Sequence, residues 1–214
     1  MILNLETAAK VAEYLLQAKA IKLQPKEPFT WSSGWKSPIY CDNRITLSFP
    51  PIRTYIRQEL AKAILEKYGA PDVIVGVATG AIAQGALVAE ELGVPFAYVR
   101  ASAKNHGLGN LIEGKVESGQ RVVVIEDLIS TAGSSLKAVE ALKEVGATVL
   151  GMAAIFTYNF QISFNKLKEA NCELITLSDY DALVQQALES SYITESDVTL
   201  IKDWRLDPSN WTGK

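Results

Sequence analysis

The sequence predicts an α/β fold with a central, mostly parallel sheet flanked by helices, preceded by a small N-terminal subregion. Three apolar segments lead to this prediction: VIVGVA at Val73–Ala78, RVVVIE at Arg121–Glu126 and TVLGMAAI at Thr148–Ile155. Each is continuously apolar rather than alternating, and helical patterns separate them. Strands that are apolar on both faces and separated by helices are typical of a parallel sheet that is covered on each side.

The other elements follow from apolar spacing and from the positions of glycine and proline. The chain opens with an amphipathic helix, because apolar residues between Ala8 and Leu16 recur at helical spacing. Pro50 begins a second helix, which Gly69 and Pro71 end. The remaining predicted elements are β segments at Phe29–Trp31 and Ile39–Cys41, a helix at Ala81–Leu92, a strand at Phe96–Val99, a helix at about Gly133–Val145, a strand at Leu174–Leu177 and two C-terminal helices. We predict a single domain over residues 1–214, with a subregion at about residues 1–45.

The composition and the net charge argue against several classes of function. The 214 residues carry a net charge of −3, which argues against a general nucleic-acid binder and requires locally concentrated cations for an anionic substrate. Glu6 and Lys10 interrupt the apolar N-terminus, so no signal peptide is predicted, and no segment is apolar for long enough to cross a bilayer. The two cysteines, Cys41 and Cys172, are expected to be buried thiols in a reducing compartment. We expect a cytoplasmic protein without nucleic-acid or membrane partners.

The segment VVVIEDLISTAGSS carries the strongest functional signal. Glu126 and Asp127 follow an apolar run, so they are expected at the carboxyl end of a parallel strand, where such folds bind ligands. The next residues, Ser130–Ser135, offer backbone N–H groups, hydroxyls and a helix N-terminus, which suit a phosphate. A phosphorylated sugar would meet both demands. The simpler interpretation is that Ser130 or Thr131 only caps the helix.

A second signal is the connection Arg100–Gly119, RASAKNHGLGNLIEGKVESG, between two predicted strands. A connection of this length inside a compact fold is more often functional than accidental. It contains the only histidine of the protein, His106, close to Arg100 and Lys104. The alternative is an exposed loop histidine without a function.

Three segments resemble those of a known family. VVVIEDLISTAGSS resembles the phosphoribosyl-pyrophosphate (PRPP) signature of type I phosphoribosyltransferases, in which apolar residues precede two acids and a Ser/Thr/Gly-rich loop. FTWSSGWKSPIYCDNR at Phe29–Arg44 is similar to the N-terminal substrate-binding segment of orotate phosphoribosyltransferases, and AKNHGLGNLIEG at Ala103–Gly114 to their mobile catalytic loop. The resemblance implies the type I phosphoribosyltransferase fold with an N-terminal hood. It also implies transfer of the 5-phosphoribosyl group from PRPP to orotate, a step of pyrimidine (UMP) biosynthesis that yields orotidine 5′-monophosphate and pyrophosphate.

The resemblance also implies roles for individual residues. The catalytic cations, which would contact the pyrophosphate of PRPP, are Arg100, Lys104 and His106. The remaining PRPP-binding residues are Glu126, Asp127, Leu128, Ile129, Ser130, Thr131, Ala132, Gly133 and Ser134. Those implied for orotate are Ser130, Tyr40, Lys36 and Arg44. Trp31 and Trp35 are interpreted as packing residues.

Cofactor and partner follow from the same resemblance. Mg²⁺ would be held mainly by PRPP, with Asp127 as the protein group that helps to position it. A homodimer is implied, in which the loop of residues 100–119 contributes to the neighbouring active site. Some lysines common in the family are absent, since Ser32 and Thr79 stand in their places, so the contacts to the carboxylate of orotate stay open. Two alternatives also stay open: a transferase for another base and a PRPP-sensing regulator with the same fold.

Overall fold

The computed structural model describes residues 1–31, 33–102 and 111–212. Its helices are α1 (Leu5–Gln17), α2 (Pro50–Tyr68), α3 (Ile82–Leu92), α4 (Gly133–Glu144), α5 (Gln161–Glu169), α6 (Tyr180–Glu189) and α7 (Glu195–Leu206), with a 3₁₀ helix at Asn43–Ser48. Its strands are β1 (Ile21–Leu23), β2 (Phe29–Thr30), β3 (Lys36–Ser37), β4 (Ile39–Cys41), β5 (Val73–Val77), β6 (Phe96–Val99), β7 (Ile112–Glu113), β8 (Arg121–Ile129), β9 (Thr148–Thr157) and β10 (Leu174–Asp179). No described helix combines the length and the apolar character needed to cross a membrane.

The central sheet has six strands within the described residues, in the order β10, β9, β8, β5, β6, β7. Neighbouring strands are parallel, except that β7 runs antiparallel to β6. Side chains of β8 alternate between two cores: Val123 and Ile125 pack with α1, α2 and α3, whereas Val122 and Val124 pack with α4. The apolar strands thus reflect burial on both faces. The predicted α/β class with a mostly parallel sheet is confirmed.

The described residues between 21 and 48 form a hood over the carboxyl edge of the sheet. Within it, β1 pairs with β4 and β2 pairs with β3, both antiparallel. The 3₁₀ helix joins the hood to β8, because the amide nitrogen Nδ2 of Asn43 donates to the backbone oxygen of Asp127 at 2.6 Å. The hood is therefore fixed beside the two acidic residues that the sequence singled out.

Several elements differ from the sequence prediction: strands β1, β3 and β7 and the 3₁₀ helix were not predicted. Strand β8 continues to Ile129 instead of ending at Glu126, because its pairing with β9 extends to Ile129 and Thr157. Helix α5 was not predicted. Its apolar residues Ile162 and Phe164 are exposed while Ser163 is buried, so its sequence lacks the usual amphipathic pattern.

Gly151 in β9 lies against the ring of Tyr68 at the end of α2. A Cβ atom at this position would lie 2.5 Å from two ring atoms. The ring is held in place, since its hydroxyl is 3.1 Å from the backbone oxygens of Met152 and Glu173. We expect Gly151→Ala to lower the free energy of unfolding by about 1–3 kcal/mol, measured by urea denaturation. In a Tyr68→Ala background the substitution should cost much less, and an equal cost in both backgrounds would contradict this contact.

Candidate active site

The acid pair borders a cavity at the carboxyl edge of the sheet. Pairing of β8 with β5 stops at Ile125, so Glu126 and Asp127 extend past the paired part of β5. The cavity measures about 300 Å³ and is lined by Cys41, Asp42, Arg44, Val77, Ala78, Thr79, Gly80, Glu126, Asp127, Leu128 and Ser134. Gly80 allows the carboxylate of Asp127 to lie close to the backbone of residue 80, because a Cβ atom there would overlap this carboxylate. Sequence reasoning did not assign Gly80 to the site.

Both acidic side chains are held in a weakly solvated environment. Glu126 is only 5% exposed, and its carboxylate accepts hydrogen bonds from Ser135 Oγ at 2.7 Å and from the backbone N–H of Asp127 at 3.1 Å. Burial, together with the neighbouring carboxylate of Asp127, raises the pKa of Glu126 to about 8. Burial also raises the pKa of Asp127. Ligand groups that donate hydrogen bonds would replace the missing solvation of these carboxylates.

The raised pKa of Glu126 predicts a pH dependence of stability. Between its ordinary pKa of 4.5 and about 8, the folded state holds the proton more firmly than the unfolded state, so stability should fall as pH rises through this range. We expect Glu126→Gln to become more stable than the wild type towards pH 8, by on the order of a few kcal/mol. Melting temperatures measured from pH 4.5 to 8.5 check this. The exposed Glu144→Gln is the control, and a Glu126→Gln variant that tracks the wild type would contradict the assignment.

The loop after β8 leads into an uncapped helix. Helix α4 begins at Gly133, its N-cap residue is Ala132 with φ 61°, and no side chain of the described residues caps it. The interpretation that Ser130 or Thr131 caps this helix is therefore wrong. Because no hydroxyl of the described residues caps α4, its first amides can bind an anion such as a phosphate.

A second cavity, of about 610 Å³, adjoins the first and shares Cys41 and Leu128 with it. It lies between the hood and the loop after β8. Its lining residues are Thr30, Trp31, Ser33, Trp35, Tyr40, Cys41, Leu128, Ser130, Thr131 and Tyr158. Aromatic side chains supply much of this wall, which suits a flat ring. We call it the base cavity.

The four residues predicted to bind orotate fall in different places. Tyr40 and Ser130 line the base cavity, and Tyr40 is 39% exposed, so it is not a core packing residue. Lys36 is exposed, and its ammonium donates to Thr30 Oγ1 at 2.8 Å at the edge of that cavity. Arg44 lines the smaller cavity instead, and its guanidinium donates to both carboxylate oxygens of Asp42, at 2.7 and 2.8 Å.

Several residues differ from their predicted environment. Trp31 and Trp35, interpreted as packing residues, both line the base cavity, and Trp31 also packs against the core as predicted. Tyr158, which sequence reasoning did not single out, lines it as well. Both cysteines are free thiols, but Cys41 is only half-buried and lines both cavities, whereas Cys172 is buried as expected.

Arg100 stands where the chain leaves β6. Its backbone N–H donates to the backbone oxygen of Leu111 at 2.9 Å, and its Nη1 atom lies 3.5 Å from Oε1 of Glu113 in β7. The β6–β7 pairing thus places residues 111–113 of the connection beside Arg100. The other predicted loop cations, Lys104 and His106, lie outside the described residues.

Comparisons with known proteins identify the family. The model of the phosphoribosyl transferase domain matches residues 51–185. The orotate phosphoribosyltransferase of Phocaeicola vulgatus is 58% identical over 200 residues, 94% of this chain and 94% of that protein. The chain belongs to the orotate phosphoribosyltransferases. The enzyme of that name from Bacteroides fragilis is 55% identical over 204 residues, 95% of this chain and 96% of its own.

The fold agrees with this assignment. The crystal structure of orotate phosphoribosyltransferase from Aeropyrum pernix superposes with a TM-score of 0.74 at 25% identity, covering 86% of this chain and 99% of that one. The predicted type I phosphoribosyltransferase fold is confirmed. The predicted enzyme class, glycosyltransferase, is confirmed as well. A transferase for another base and a regulator are not favoured. The hood and α7 lie outside the matched domain.

Proposed function

We propose that this orotate phosphoribosyltransferase binds PRPP across the acid pair and the N-terminus of α4, and orotate in the base cavity. The observation that carries the proposal is the meeting of two poorly solvated carboxylates and an uncapped helix N-terminus beside two adjoining cavities. The products are orotidine 5′-monophosphate and pyrophosphate, which places the reaction in pyrimidine biosynthesis.

In this arrangement each part of PRPP meets a complementary group. The ribose hydroxyls donate to the carboxyl oxygens of Glu126 and Asp127, and those hydrogen bonds that are made to an ionised carboxylate are among the stronger ones. The 5-phosphate accepts hydrogen bonds from the backbone N–H groups of the loop and of the first turn of α4. The residues that contribute to this binding are Leu128, Ile129, Ser130, Thr131, Ala132, Gly133 and Ser134.

The reaction replaces one bond at the anomeric carbon. A ring nitrogen of orotate forms a bond to this carbon while the bond to the pyrophosphate oxygen breaks. The electron pair leaves with pyrophosphate, and the proton of the ring nitrogen passes to pyrophosphate or to water. The leaving pyrophosphate is itself a proton acceptor, so no strong general base from the protein is required. The protein instead positions both substrates and stabilises the negative charge that grows on the leaving group.

Arg100, Lys104 and His106 are proposed to supply that positive charge. Arg100 is anchored at the edge of the sheet by its bond to Leu111, which fixes one end of the loop near the carboxyl edge. Closure of the loop over the substrates would exclude water, which could otherwise hydrolyse the activated sugar.

The acid pair fits Mg²⁺ as a cofactor. Carboxylate oxygens are its preferred protein ligands, and one or two carboxylates with substrate phosphates commonly suffice. Asp127 is the proposed ligand, because its carboxylate faces the smaller cavity and is poorly solvated. The described residues contain no cluster of three or more His, Cys, Asp or Glu side chains able to hold a metal, so PRPP would provide most of the ligands. When bound, the ion neutralises phosphate charge.

Orotate is proposed to lie against Tyr40 and Ser130 in the base cavity. Lys36, held by Thr30 at the edge of this cavity, is the candidate cation for the carboxylate of orotate. Arg44 lies beside the acid pair and would reach orotate only from the smaller cavity. It is therefore proposed to contact PRPP as well.

A cytoplasmic homodimer, with residues 100–119 of one subunit completing the neighbouring site, is the proposed assembly. Complementation tests it: Lys104→Ala and Asp127→Asn subunits, each inactive alone, are co-expressed. If the loop acts across the interface, each mixed dimer has one intact site, and about a quarter of the wild-type activity should return. No activity beyond the sum of the two variants would contradict loop exchange.

The base preference is tested by a steady-state assay with PRPP, Mg²⁺ and a panel of bases. We expect turnover with orotate and little or none with uracil or hypoxanthine, which lack its carboxylate. Turnover with hypoxanthine or uracil and none with orotate would overturn the proposal.

A further inference from the structure

We propose that Trp204 of the C-terminal helix α7 is a positioning residue for the base: it fixes Trp31 and Tyr158 as the aromatic wall of the base cavity. The inference rests on the proposed location of orotate in that cavity. Trp204 itself is fully buried and is not among the described residues that line the cavity, so it acts through the two rings in front of it.

The wall is formed by two rings from distant parts of the chain. Trp31 of the hood and Tyr158 after β9 lie with ring centroids 5.4 Å apart and planes 32° apart, so the two rings pack directly against each other. Both line the base cavity. The indole N–H of Trp31 donates to the backbone oxygen of Ile39 at 2.9 Å, which fixes one edge of the ring to the hood.

Trp204 holds the other side of this wall. Its ring meets Trp31 edge-on at 5.6 Å and 83°, and Tyr158 edge-on at 5.7 Å and 85°. Edge-to-face contacts between aromatic rings are directional, so one buried ring that contacts both members of the pair fixes their relative orientation. Phe160 and Tyr180 surround Trp204 at 5.4 and 6.2 Å and keep it in place.

Further contacts tie α7 to its surroundings. The hydroxyl of Tyr180 donates to the backbone oxygen of Ile201 in α7 at 2.6 Å, which anchors the helix on α6. Nζ of Lys26 in the hood lies 3.5 Å from Oδ1 of Asp197 near the start of α7. Helix α7 therefore supports the hood as well as the wall. Helix α7 and the hood both lie outside the matched domain.

The position of the wall governs how well a flat base packs against it. Shortening Trp204 removes both edge contacts and leaves Trp31 and Tyr158 free to shift. We expect Trp204→Leu to raise the KM for orotate by about 10-fold while the KM for PRPP stays within about twofold. Trp204→Phe keeps one aromatic edge, so the KM for orotate should rise by only about threefold.

The test compares these variants with a buried substitution elsewhere in the same core. Leu60→Ala in α2 is the control, because Leu60 is fully buried but is not among the residues that line the base cavity. KM for each substrate is measured at a saturating concentration of the other, with melting temperatures alongside. Leu60→Ala should lower the melting temperature without changing the KM for orotate. The proposal is overturned if Leu60→Ala raises this KM as much as the Trp204 variants do. If Trp204→Leu does not fold, Trp204→Phe decides, and an unchanged KM for orotate would refute the positioning role.

Trp31→Ala tests the proposed orotate site separately from the positioning role of Trp204. Trp31 lines the cavity directly, so this variant should raise the KM for orotate if the base binds there. A rise with Trp31→Ala but none with the Trp204 variants would overturn the positioning role alone. No change with Trp31→Ala would instead remove the proposed orotate site.

Discussion

Asp127→Asn is expected to lower kcat/KM for PRPP by roughly 100-fold while leaving the protein folded. Asparagine has nearly the same shape as aspartate, so the loss would come from the charge. The carboxylate is proposed to accept hydrogen bonds from the ribose and to face the positive charge that develops on the anomeric carbon. Its burial strengthens both interactions, because the surroundings screen them weakly.

Asp72→Asn is the matched control for this prediction. Asp72 precedes β5 at the amino ends of the strands, opposite to the carboxyl ends where the acid pair lies. There its carboxylate accepts hydrogen bonds from Arg121 at 2.7 and 2.9 Å. The same chemical change there should leave kcat/KM within about twofold, since surface ion pairs contribute little. Equal activity of Asp127→Asn and the wild type would show that the acid pair does not bind the sugar.

Lys104→Ala is expected to lower kcat by roughly 100-fold, with the dissociation constant for PRPP changed by less than about threefold. The physical reason is that the loop cation meets its strongest partner only when the pyrophosphate is leaving. An interaction that strengthens in the transition state affects turnover more than ground-state binding. Single-turnover kinetics and equilibrium titration of PRPP measure the two effects separately.

Lys115→Ala is the control from the same connection. Lys115 is exposed and forms an ion pair with Glu117 at 2.9 Å, so its removal should change kcat by less than about twofold. A Lys104→Ala variant with wild-type turnover would show that the loop assignment is wrong. A parallel loss of PRPP affinity and turnover would mean that the lysine acts mainly in substrate binding.

The sequence predicted the central sheet well because burial on both faces leaves a simple pattern. Strand β5 is buried throughout, and its residues are apolar without interruption. The ends of α2 and α3 were also predictable, because Gly69 and Gly93 adopt φ values of 72° and 66°, which glycine tolerates best. Local signals of this kind need no knowledge of the tertiary fold.

Features that depend on distant contacts were not predictable. The length of β8 is set by its pairing with β9. The acids within β8 interrupt the apolar pattern, so the sequence predicted that the strand ends at Glu126. Whether a hydroxyl at residue 130 or 131 caps α4 depends on the course of the loop, and the sequence permits both outcomes. The base cavity escaped prediction as a unit, because Trp31, Tyr158 and Trp204 meet only through the fold.

Isothermal titration of PRPP in the presence of Mg²⁺ tests the central claim most directly. The wild type should give a saturable heat with one site per chain, and a variant carrying both Glu126→Ala and Asp127→Ala should bind far more weakly. Circular dichroism of both proteins establishes that they are folded. A wild type that gives no heat, or a double variant that binds as tightly as the wild type, would contradict a sugar site built on this acid pair.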